Sequence, residues 1–207
     1  MAAEFIISWN CNGLKPHMAE LLNYLQNSNP QPFLICLQEC NLHTNILPNI
    51  PAYSLINSTR INNSGGGTAI YIKSNIPYTQ VYFIPNLNSE IEYTSLKIDY
   101  NDSNLTITSM YIRPQAQIKL QDLIEMELDK KHLILGDLNG KHSLWGSHKN
   151  DNRGNTLYNF FESKNLICLN NGEGTRIGNW GQLSHLDIVL SSANISTSAI
   201  FEILEDS

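Results

Sequence analysis

The fold is decided by residues 5–39, which read FIISWNCNGLKPHMAELLNYLQNSNPQPFLICLQE. The apolar run Phe5–Trp9 predicts a strand, and apolar residues then recur at helical spacing over residues 18–25. Asn29-Pro30 breaks the helix before a second apolar strand, Phe33–Leu37. A strand, helix and strand of this length form a right-handed crossover, which makes the two strands parallel. We therefore expect both strands to end at the same edge of one sheet.

The middle of the chain shows a different pattern. Strand-like runs are separated there by turn signals of Gly, Pro, Asn and Asp. The runs are Thr68–Lys73, Tyr78–Ile84, Ile91–Ile98 and Leu105–Ile112. Such a series predicts an antiparallel meander.

The last third of the chain alternates helices and strands again. Helical spacing marks two segments, one with Leu120, Leu123, Ile124 and Leu128 and one with Leu157, Phe160 and Phe161. Strands are predicted at His132–Leu135, Leu166–Leu169, Leu186–Ser191 and Ala199–Leu204, and a polar loop precedes Asn152. Mixed strands with only three helices predict a single α/β domain over residues 1–207, in which packed sheets are flanked by helices.

Composition narrows the class of protein. Of the 207 residues, 42% are hydrophobic and only 15% are charged, which excludes a chain kept disordered by its charge. No apolar run approaches the roughly 18 residues that a membrane helix needs, so no membrane partner is expected. The start of the chain lacks a basic segment, and the four cysteines form no paired framework. These features predict an intracellular protein with reduced thiols.

Polar side chains follow the first two predicted strands. Asn10 and Asn12 come after the first strand, and Gln38-Glu39 ends the second. Adjacent strands lie roughly 5 Å apart, so one hard cation could bind Glu39 together with an Asn side chain. A single carboxylate with amides and waters suits Mg²⁺. The alternative is that Glu39 is a solvated loop residue.

A third polar cluster follows the strand His132–Leu135. Gly136 allows close backbone approach, and Asp137 and Asn139 alternate, so both side chains are predicted to leave the same face. A carboxylate that exchanges a proton beside an amide that donates to an oxyanion is a pairing suited to hydrolysis. The same spacing is also typical of residues that cap a loop.

Two further polar residues lie at strand ends. Asp187 opens the apolar strand after Ser184-His185-Leu186, and a buried Asp needs a partner, either backbone or a histidine. Tyr111 ends the Leu105–Ile112 strand, beside Arg113. Trp145 is expected to anchor its loop rather than to stack on a base.

Taken together, these segments resemble the endonuclease/exonuclease/phosphatase superfamily. The motifs occur in the family's order and cover nearly the whole chain: Trp9–Leu14, Gln38-Glu39, Gly65–Ile70, Tyr111–Arg113, Gly136–Asn139 and Ser184-x-x-Asp187. The stretch Gly136–Gly146, followed by Asn152-Arg153-Gly154, is most similar to the endonuclease domain of non-LTR retrotransposons.

The resemblance implies a four-layered α/β sandwich and Mg²⁺-dependent hydrolysis of a phosphodiester, with Mn²⁺ as a substitute. It implies that Glu39 is the principal metal ligand, beside Asn10 and Asn12, although repair enzymes of the superfamily have Asp where Asn12 stands. It also assigns the catalytic roles. Tyr111 would contact the scissile phosphate or the leaving oxygen, Asp137 would orient the water or handle the leaving group's proton, Asn139 would hold a non-bridging oxygen and Asp187 would orient a histidine.

The resemblance further implies DNA as the partner, bound in or beside the motif segments. The residues expected to contact it are Arg113, Lys141, Arg153, Thr175, Arg176 and Ser184. With a net charge of −6, this attraction is expected to be modest. The cut would leave a 3′-hydroxyl for reverse transcription by a larger polyprotein acting in the nucleus.

The family's Ser-Asp-His triplet does not occur in the sequence. We therefore expect the family's last strands to be missing and nicking by this chain to be severely impaired, since a positioned acid–base group contributes roughly 10²–10⁴-fold. Two alternatives stay open. One is an abasic-site repair endonuclease or other phosphoesterase of the superfamily, and the other is an inactive truncated copy with residual DNA binding.

Overall fold

The computed structural model describes residues 5–42, 47–58, 65–83, 90–177 and 181–204. The strands are β1 (Ile6–Asn10), β2 (Leu34–Gln38), β3 (Tyr53–Ser58), β4 (Thr68–Lys73), β5 (Tyr78–Val81), β6 (Ile91–Tyr100), β7 (Ser103–Ile112), β8 (His132–Asp137), β9 (Leu166–Cys168), β10 (Arg176–Ile177), β11 (Leu183–Ser184) and β12 (Asp187–Ser192). The helices are α1 (Met18–Asn27), α2 (Leu120–Ile124), α3 (Asn152–Lys164) and α4 (Ala193–Ser196), with a 3₁₀ turn at Ser143–Trp145.

The first sheet has the strand order β1-β2-β4-β3. β1 and β2 are parallel with Ile6 opposite Leu34, which confirms the crossover predicted from residues 5–39. β4 pairs antiparallel with both β2 and β3. The predicted place of Thr68–Lys73 in a meander with the following strands is therefore wrong. Turn residues show where a chain reverses, but not which strand it then pairs with.

The second sheet has the order β5-β6-β7-β8-β12-β9. Its first three strands form an antiparallel meander, as predicted, whereas β7 and β8 are parallel. β10 and β11 form a separate two-stranded hairpin. No helix in the described ranges is long and apolar enough to cross a membrane.

The two sheets pack face to face. The core between them is built from side chains of β2, β4, β6, β7 and β8, among them Leu34, Ile70, Leu96 and Ile107. Helix α1 covers the outer face of the first sheet, and α2 and α3 cover the outer face of the second. This is the predicted four-layered α/β sandwich.

Several element boundaries differ from the sequence prediction. Strand β3, the β10–β11 hairpin and α4 were not predicted, because their short apolar runs carry little periodicity. Residues 199–204 have no regular structure, so the strand predicted there is wrong, and Ile200 is 86% exposed. Helix α2 ends at Ile124 rather than at Leu128, and the predicted end of a strand at Ile84 lies outside the described residues.

Gly136 sets the distance between the parallel strands β7 and β8. It lies opposite Met110 with a φ of 153°, and a Cβ there would come within 1.8 Å of the Met110 carbonyl oxygen. Only glycine permits that approach. The backbone just before Asp137 is thereby fixed against β7.

Gly136→Ala is expected to lower the free energy of unfolding by about 3 kcal/mol, because β7 and β8 must separate to accept the methyl group. Gly181→Ala is the matched control, since Gly181 also has a positive φ, of 75°, but its Cβ would meet no described residue within 4 Å. That variant should lose only about 1 kcal/mol from backbone strain. Urea denaturation of both variants checks this, and equal losses would contradict it.

His132 is a fully buried histidine within the second sheet. Its Nε2 lies 2.9 Å from the Thr108 hydroxyl, and its ring stacks on Phe83. Its Nδ1 is buried and has no hydrogen-bond partner among the described residues. Burial lowers its pKa from 6.5 to about 4, with a weaker opposing effect of Asp129. The folded protein therefore holds His132 in its neutral form.

His132 should consequently contribute a loss of stability in mild acid. Between about pH 6.5 and 4, the unfolded chain binds the His132 proton and the folded chain does not, so His132 alone costs roughly 3 kcal/mol across that window. Asp137 acts in the opposite direction there, because its raised pKa lets the folded chain bind its proton first. His132→Gln should remove the His132 contribution, so that in denaturant titrations the variant loses less stability toward pH 4 than the wild type. His148→Gln, a change at an exposed position, should keep the wild-type slope. A slope unaffected by His132→Gln would show that other groups carry it.

Candidate active site

Residues from both sheets meet at one rim of the sandwich. The Asn10 amide nitrogen donates to Oε1 of Glu39 at 2.7 Å and to Oδ2 of Asp137 at 2.8 Å. Asn10 ends β1, Glu39 follows β2 and Asp137 ends β8, so one nitrogen joins the ends of three strands. The structure thus brings together the three residues that the sequence analysis placed at separate strand ends.

The backbone at these strand ends is left-handed. Asn12, Glu39 and Asn139 have φ values of 42°, 52° and 50°. Asparagine tolerates this region, whereas for glutamate it costs roughly 1–2 kcal/mol. The Glu39 carbonyl accepts the Gly13 N–H at 2.7 Å, and the next residue, Cys40, donates its N–H to the Gly67 carbonyl. Bonds on both sides therefore hold Glu39 in a conformation that its side chain disfavours.

Asp137 is buried next to other carboxylates. Its pKa is raised from 3.8 to about 7, mainly by burial and then by the charge of Asp187, with a smaller contribution from Glu39. The donors Asn10 and the Asn139 N–H act in the opposite direction. A carboxyl that titrates near neutrality can accept or donate a proton at physiological pH.

Tyr111 lies on β7 beside this cluster. Burial raises the pKa of its phenol well above the ordinary value of 10, and the charge of Glu39 and a hydrogen bond with Glu39 raise it further. The hydroxyl therefore stays protonated and serves as a hydrogen-bond donor. Glu92 lies opposite Tyr111 in the β6–β7 ladder, and its carboxylate accepts the Gly67 N–H.

Asn139 reaches the cluster by a different route from the one predicted. β8 ends at Asp137, so the strand alternation that was expected to align the two side chains does not extend to Asn139. A left-handed turn places it instead. Its backbone N–H donates to Asp137 Oδ1 at 3.1 Å, and its amide nitrogen donates to the Ile112 carbonyl at 3.0 Å.

Asp187 begins β12 directly opposite Asp137. Its carboxylate accepts the Thr175 hydroxyl at 2.9 Å, and burial raises its pKa. Within the described part of the chain, the hydrogen-bond partner of this carboxylate is Thr175 and not a histidine. His185 lies close in sequence, but its Nε2 lies 3.1 Å from the Gly172 carbonyl.

Asn12 is exposed at the edge of the cluster. Its backbone N–H donates to Oδ1 of Asn10 at 3.2 Å, which fixes the orientation of the Asn10 amide. Within the described ranges, no group of three or more His, Cys, Asp and Glu side chains could hold a metal ion. The oxygens of Glu39, Asn10 and Asn12 are nevertheless a donor set that suits a hydrated Mg²⁺, which needs only one or two carboxylates.

The predicted DNA-contacting residues fall into two groups. Lys141 and Arg176 are exposed, and Thr175 and Ser184 lie beside Arg176 on or next to the β10–β11 hairpin. Arg113, in contrast, forms an ion pair with Glu90 at 2.7 Å. The guanidinium of Arg153 is occupied as well, by three backbone carbonyls.

Two residues of the site were assigned no role from the sequence, where Gln38 was named only as part of the Gln38-Glu39 motif. Gln38 is fully buried and donates to the Ser109 hydroxyl at 2.9 Å, which links the two sheets directly behind Glu39. Glu92 was not named in the sequence analysis. Its position next to Ile91, the first apolar residue of the long strand β6, could have indicated an acidic residue at the site. Trp145 is fully buried and donates to the Gly140 carbonyl, so it anchors its loop as expected.

The sequence of the chain is similar to one protein family and to polymerases of transposons. A family model described as endonuclease-reverse transcriptase matches residues 105–206. The chain is 24% identical, over 97% of its length, to the probable RNA-directed DNA polymerase from transposon X-element of Drosophila melanogaster, and 25% identical, over 81%, to that of the mobile element jockey of the same species. It spans only 23% and 18% of these two relatives.

Solved structures share the fold. The endonuclease domain of TRAS1, a telomere-specific non-LTR retrotransposon, matches with a TM-score of 0.71 at 20% identity, covering 92% of this chain and 85% of that one. An AP endonuclease from Archaeoglobus fulgidus matches with a TM-score of 0.68 at 14% identity, covering 93% and 88%. The chain therefore has the fold of these structures, and its sequence is similar to an endonuclease-reverse transcriptase family over residues 105–206 and to transposon polymerases.

Proposed function

We propose that this chain is the Mg²⁺-dependent endonuclease domain of a non-LTR retrotransposon. It would hydrolyse a phosphodiester of target DNA and leave a 3′-hydroxyl for target-primed reverse transcription. The observation that carries the proposal is the Asn10 amide, which joins the carboxylates of Glu39 and Asp137 at one rim. The transposon polymerases and the TRAS1 endonuclease domain support the choice of DNA as substrate.

In this proposal Glu39 is the principal ligand of Mg²⁺, or of Mn²⁺ as a substitute, with Asn10 and Asn12 beside it. The cation would polarise a phosphoryl oxygen and offset the negative charge of DNA. Glu39 suits that task because its backbone is fixed on both sides. Asn12 is exposed and its backbone N–H donates to Oδ1 of Asn10, so its amide oxygen would bind the cation directly or through water.

The remaining residues would handle protons and phosphate oxygens. Asp137, with its pKa near neutrality, accepts the proton of the attacking water or returns one to the leaving oxygen. The protonated hydroxyl of Tyr111 donates to the phosphate, and the Asn139 amide donates to a non-bridging oxygen. Asp187 faces Asp137 across the β8–β12 ladder, and its charge would help to keep the pKa of Asp137 raised.

DNA would lie across the rim that carries Lys141 and the β10–β11 hairpin. Lys141 and Arg176 supply exposed positive charge there, and Thr175 and Ser184 supply hydroxyls. The net charge of −6 limits sequence-independent attraction, so affinity is expected to come from these few contacts. Arg113 is held by its ion pair with Glu90 and would contribute to DNA binding from that position. The domain would work as part of a polyprotein with reverse transcriptase, inside the nucleus.

An abasic-site repair endonuclease is the second candidate. The likeness to an AP endonuclease from Archaeoglobus fulgidus favours it, as does the likeness to the 3′ phosphatase NExo from Neisseria, with a TM-score of 0.67 at 16% identity. The two candidates differ in substrate. A repair enzyme should cleave a duplex with an abasic site far faster than an intact duplex, whereas a retrotransposon endonuclease should nick intact DNA.

Nicking of supercoiled plasmid by this chain is expected to be low, and Asp137→Asn should reduce it by a further factor of roughly 10²–10⁴ in the presence of Mg²⁺, because the amide cannot exchange the proton. Asp122→Asn is the matched control, a buried aspartate whose carboxylate accepts the Lys119 N–H at the start of α2. Per folded molecule, this control should nick like the wild type. Equal activity of Asp137→Asn and wild type on intact and abasic duplexes would contradict the proposed role.

Binding of the cation can be measured without turnover. At ten times its dissociation constant, Mg²⁺ should add about 1.4 kcal/mol to the free energy of unfolding of the wild type. Glu39→Gln should lose that gain in a thermal-shift titration. Glu162→Gln, a change at an exposed residue of α3, should retain it. A full Mg²⁺ response in Glu39→Gln would place the cation elsewhere.

A further inference from the structure

We propose that Arg153 is a positioning residue that clamps the loop after β7, the strand of Tyr111, to the loop that carries Asn139, and that it is not a contact to DNA. The inference rests on the proposed function, since it concerns the geometry of that same site. It also changes the role first expected for Arg153 from its place among basic residues near the motifs. Its basis is the set of bonds that the guanidinium makes.

The guanidinium reaches two separate loops at once. Its Nη1 donates to the Asn139 carbonyl at 2.9 Å, and its Nη2 donates to the carbonyls of Pro114 at 2.8 Å and Ala116 at 2.6 Å. The first loop follows β8 and carries Asn139 itself. The second follows β7, a few residues after Tyr111. One side chain therefore ties together the chain segments that leave the two parallel strands of the site.

Arginine is suited to this task for geometric reasons. Its planar fork presents five donors in fixed directions, whereas a lysine ammonium is a flexible point charge. Three carbonyls from two loops match the fork, and burial lowers the pKa of the guanidinium below its ordinary value. The carbonyls and the neighbouring Asp151 compensate part of the lost hydration.

Arg153 is itself held in place by the start of α3. Asp151 caps the helix by accepting the Gly154 N–H at 2.6 Å, and the same oxygen accepts the Lys141 N–H at 3.2 Å. A Cβ on Gly154 would lie 1.9 Å from the Lys141 carbonyl oxygen, so the helix start and the loop after Asn139 are in close contact. The guanidinium is thus fixed to a rigid element.

The consequence of the clamp is local to the catalytic groups. The Asn139 amide nitrogen donates to the Ile112 carbonyl, and its backbone N–H donates to Asp137. If the Asn139 carbonyl lost its donor, the turn could move away from both partners. A shift of about 1 Å in a positioned group can cost as much as 10²-fold in rate.

The test compares Arg153→Met and Arg153→Lys with Lys141→Met, in which the replaced lysine is exposed two residues after Asn139 on the same loop. Steady-state nicking gives kcat and KM, and binding of a labelled duplex in EDTA between 50 and 200 mM salt gives Kd and its salt slope. Hydrogen exchange by mass spectrometry then reports protection in peptides covering residues 112–118 and 137–142. The exchange measurement requires no activity, so it separates failure of the clamp from failure of the proposed function.

For Arg153→Met we expect a fall in kcat of roughly tenfold to a hundredfold. Its KM, Kd and salt slope should stay near the wild-type values, and protection should be lost in the two loop peptides. Arg153→Lys should recover only part of kcat, because a lysine cannot span both loops. Lys141→Met should instead weaken binding and lower the salt slope by about one.

Two results would overturn the proposal. If Arg153→Met reduces affinity and the salt slope while kcat at saturating DNA is unchanged, the residue contacts phosphate. If protection in the two loop peptides is unchanged, or falls equally in α1 and the first sheet, the guanidinium does not position the site, whether or not the wild type nicks DNA.

Discussion

The site depends on one amide placed between two carboxylates that come from different sheets. Without a shared donor, Glu39 and Asp137 would repel each other in a buried setting, and that repulsion grows as water is excluded. The Asn10 nitrogen offsets it by donating to both. Because Asn10 and Glu39 belong to the first sheet and Asp137 to the second, the arrangement survives only if the two sheets keep their mutual position.

Polar contacts buried between the sheets maintain that position. Gln38 donates to Ser109, whose hydroxyl donates to the Leu37 carbonyl, and the Thr68 and Thr94 hydroxyls meet at 2.8 Å. Apolar packing alone would tolerate a small slide of one sheet over the other, whereas a buried hydrogen bond would be left unsatisfied by it. The same contacts lie one residue from Glu39 and two from Tyr111, so packing and catalytic geometry are coupled.

The parts of the fold that could be predicted are those with local causes. The crossover over residues 5–39 follows from periodicity, turn chemistry and chain handedness, and Gly136 was expected to allow close backbone approach for the same kind of reason. The pairing of β4 with β2 was mispredicted because strand partners depend on distant segments. Convergence of Asn10, Glu39 and Asp137 could be anticipated from strand ends, but the left-handed turn at Asn139 could not. Nor could the bonds of Arg153, since composition shows a charge and not the carbonyls around it.

Glu39 shows most clearly where folding and chemistry demand different things of the same residue. At its backbone angles, asparagine or glycine would be less strained than glutamate. The chain does place asparagine in this conformation at Asn12, Asn41 and Asn139. A sequence selected for thermostability alone would be free to exchange the glutamate and relax the turn. Engineering this scaffold for heat resistance should therefore spare that position, because the most attractive stabilising replacement there would remove the carboxylate on which hydrolysis is proposed to depend.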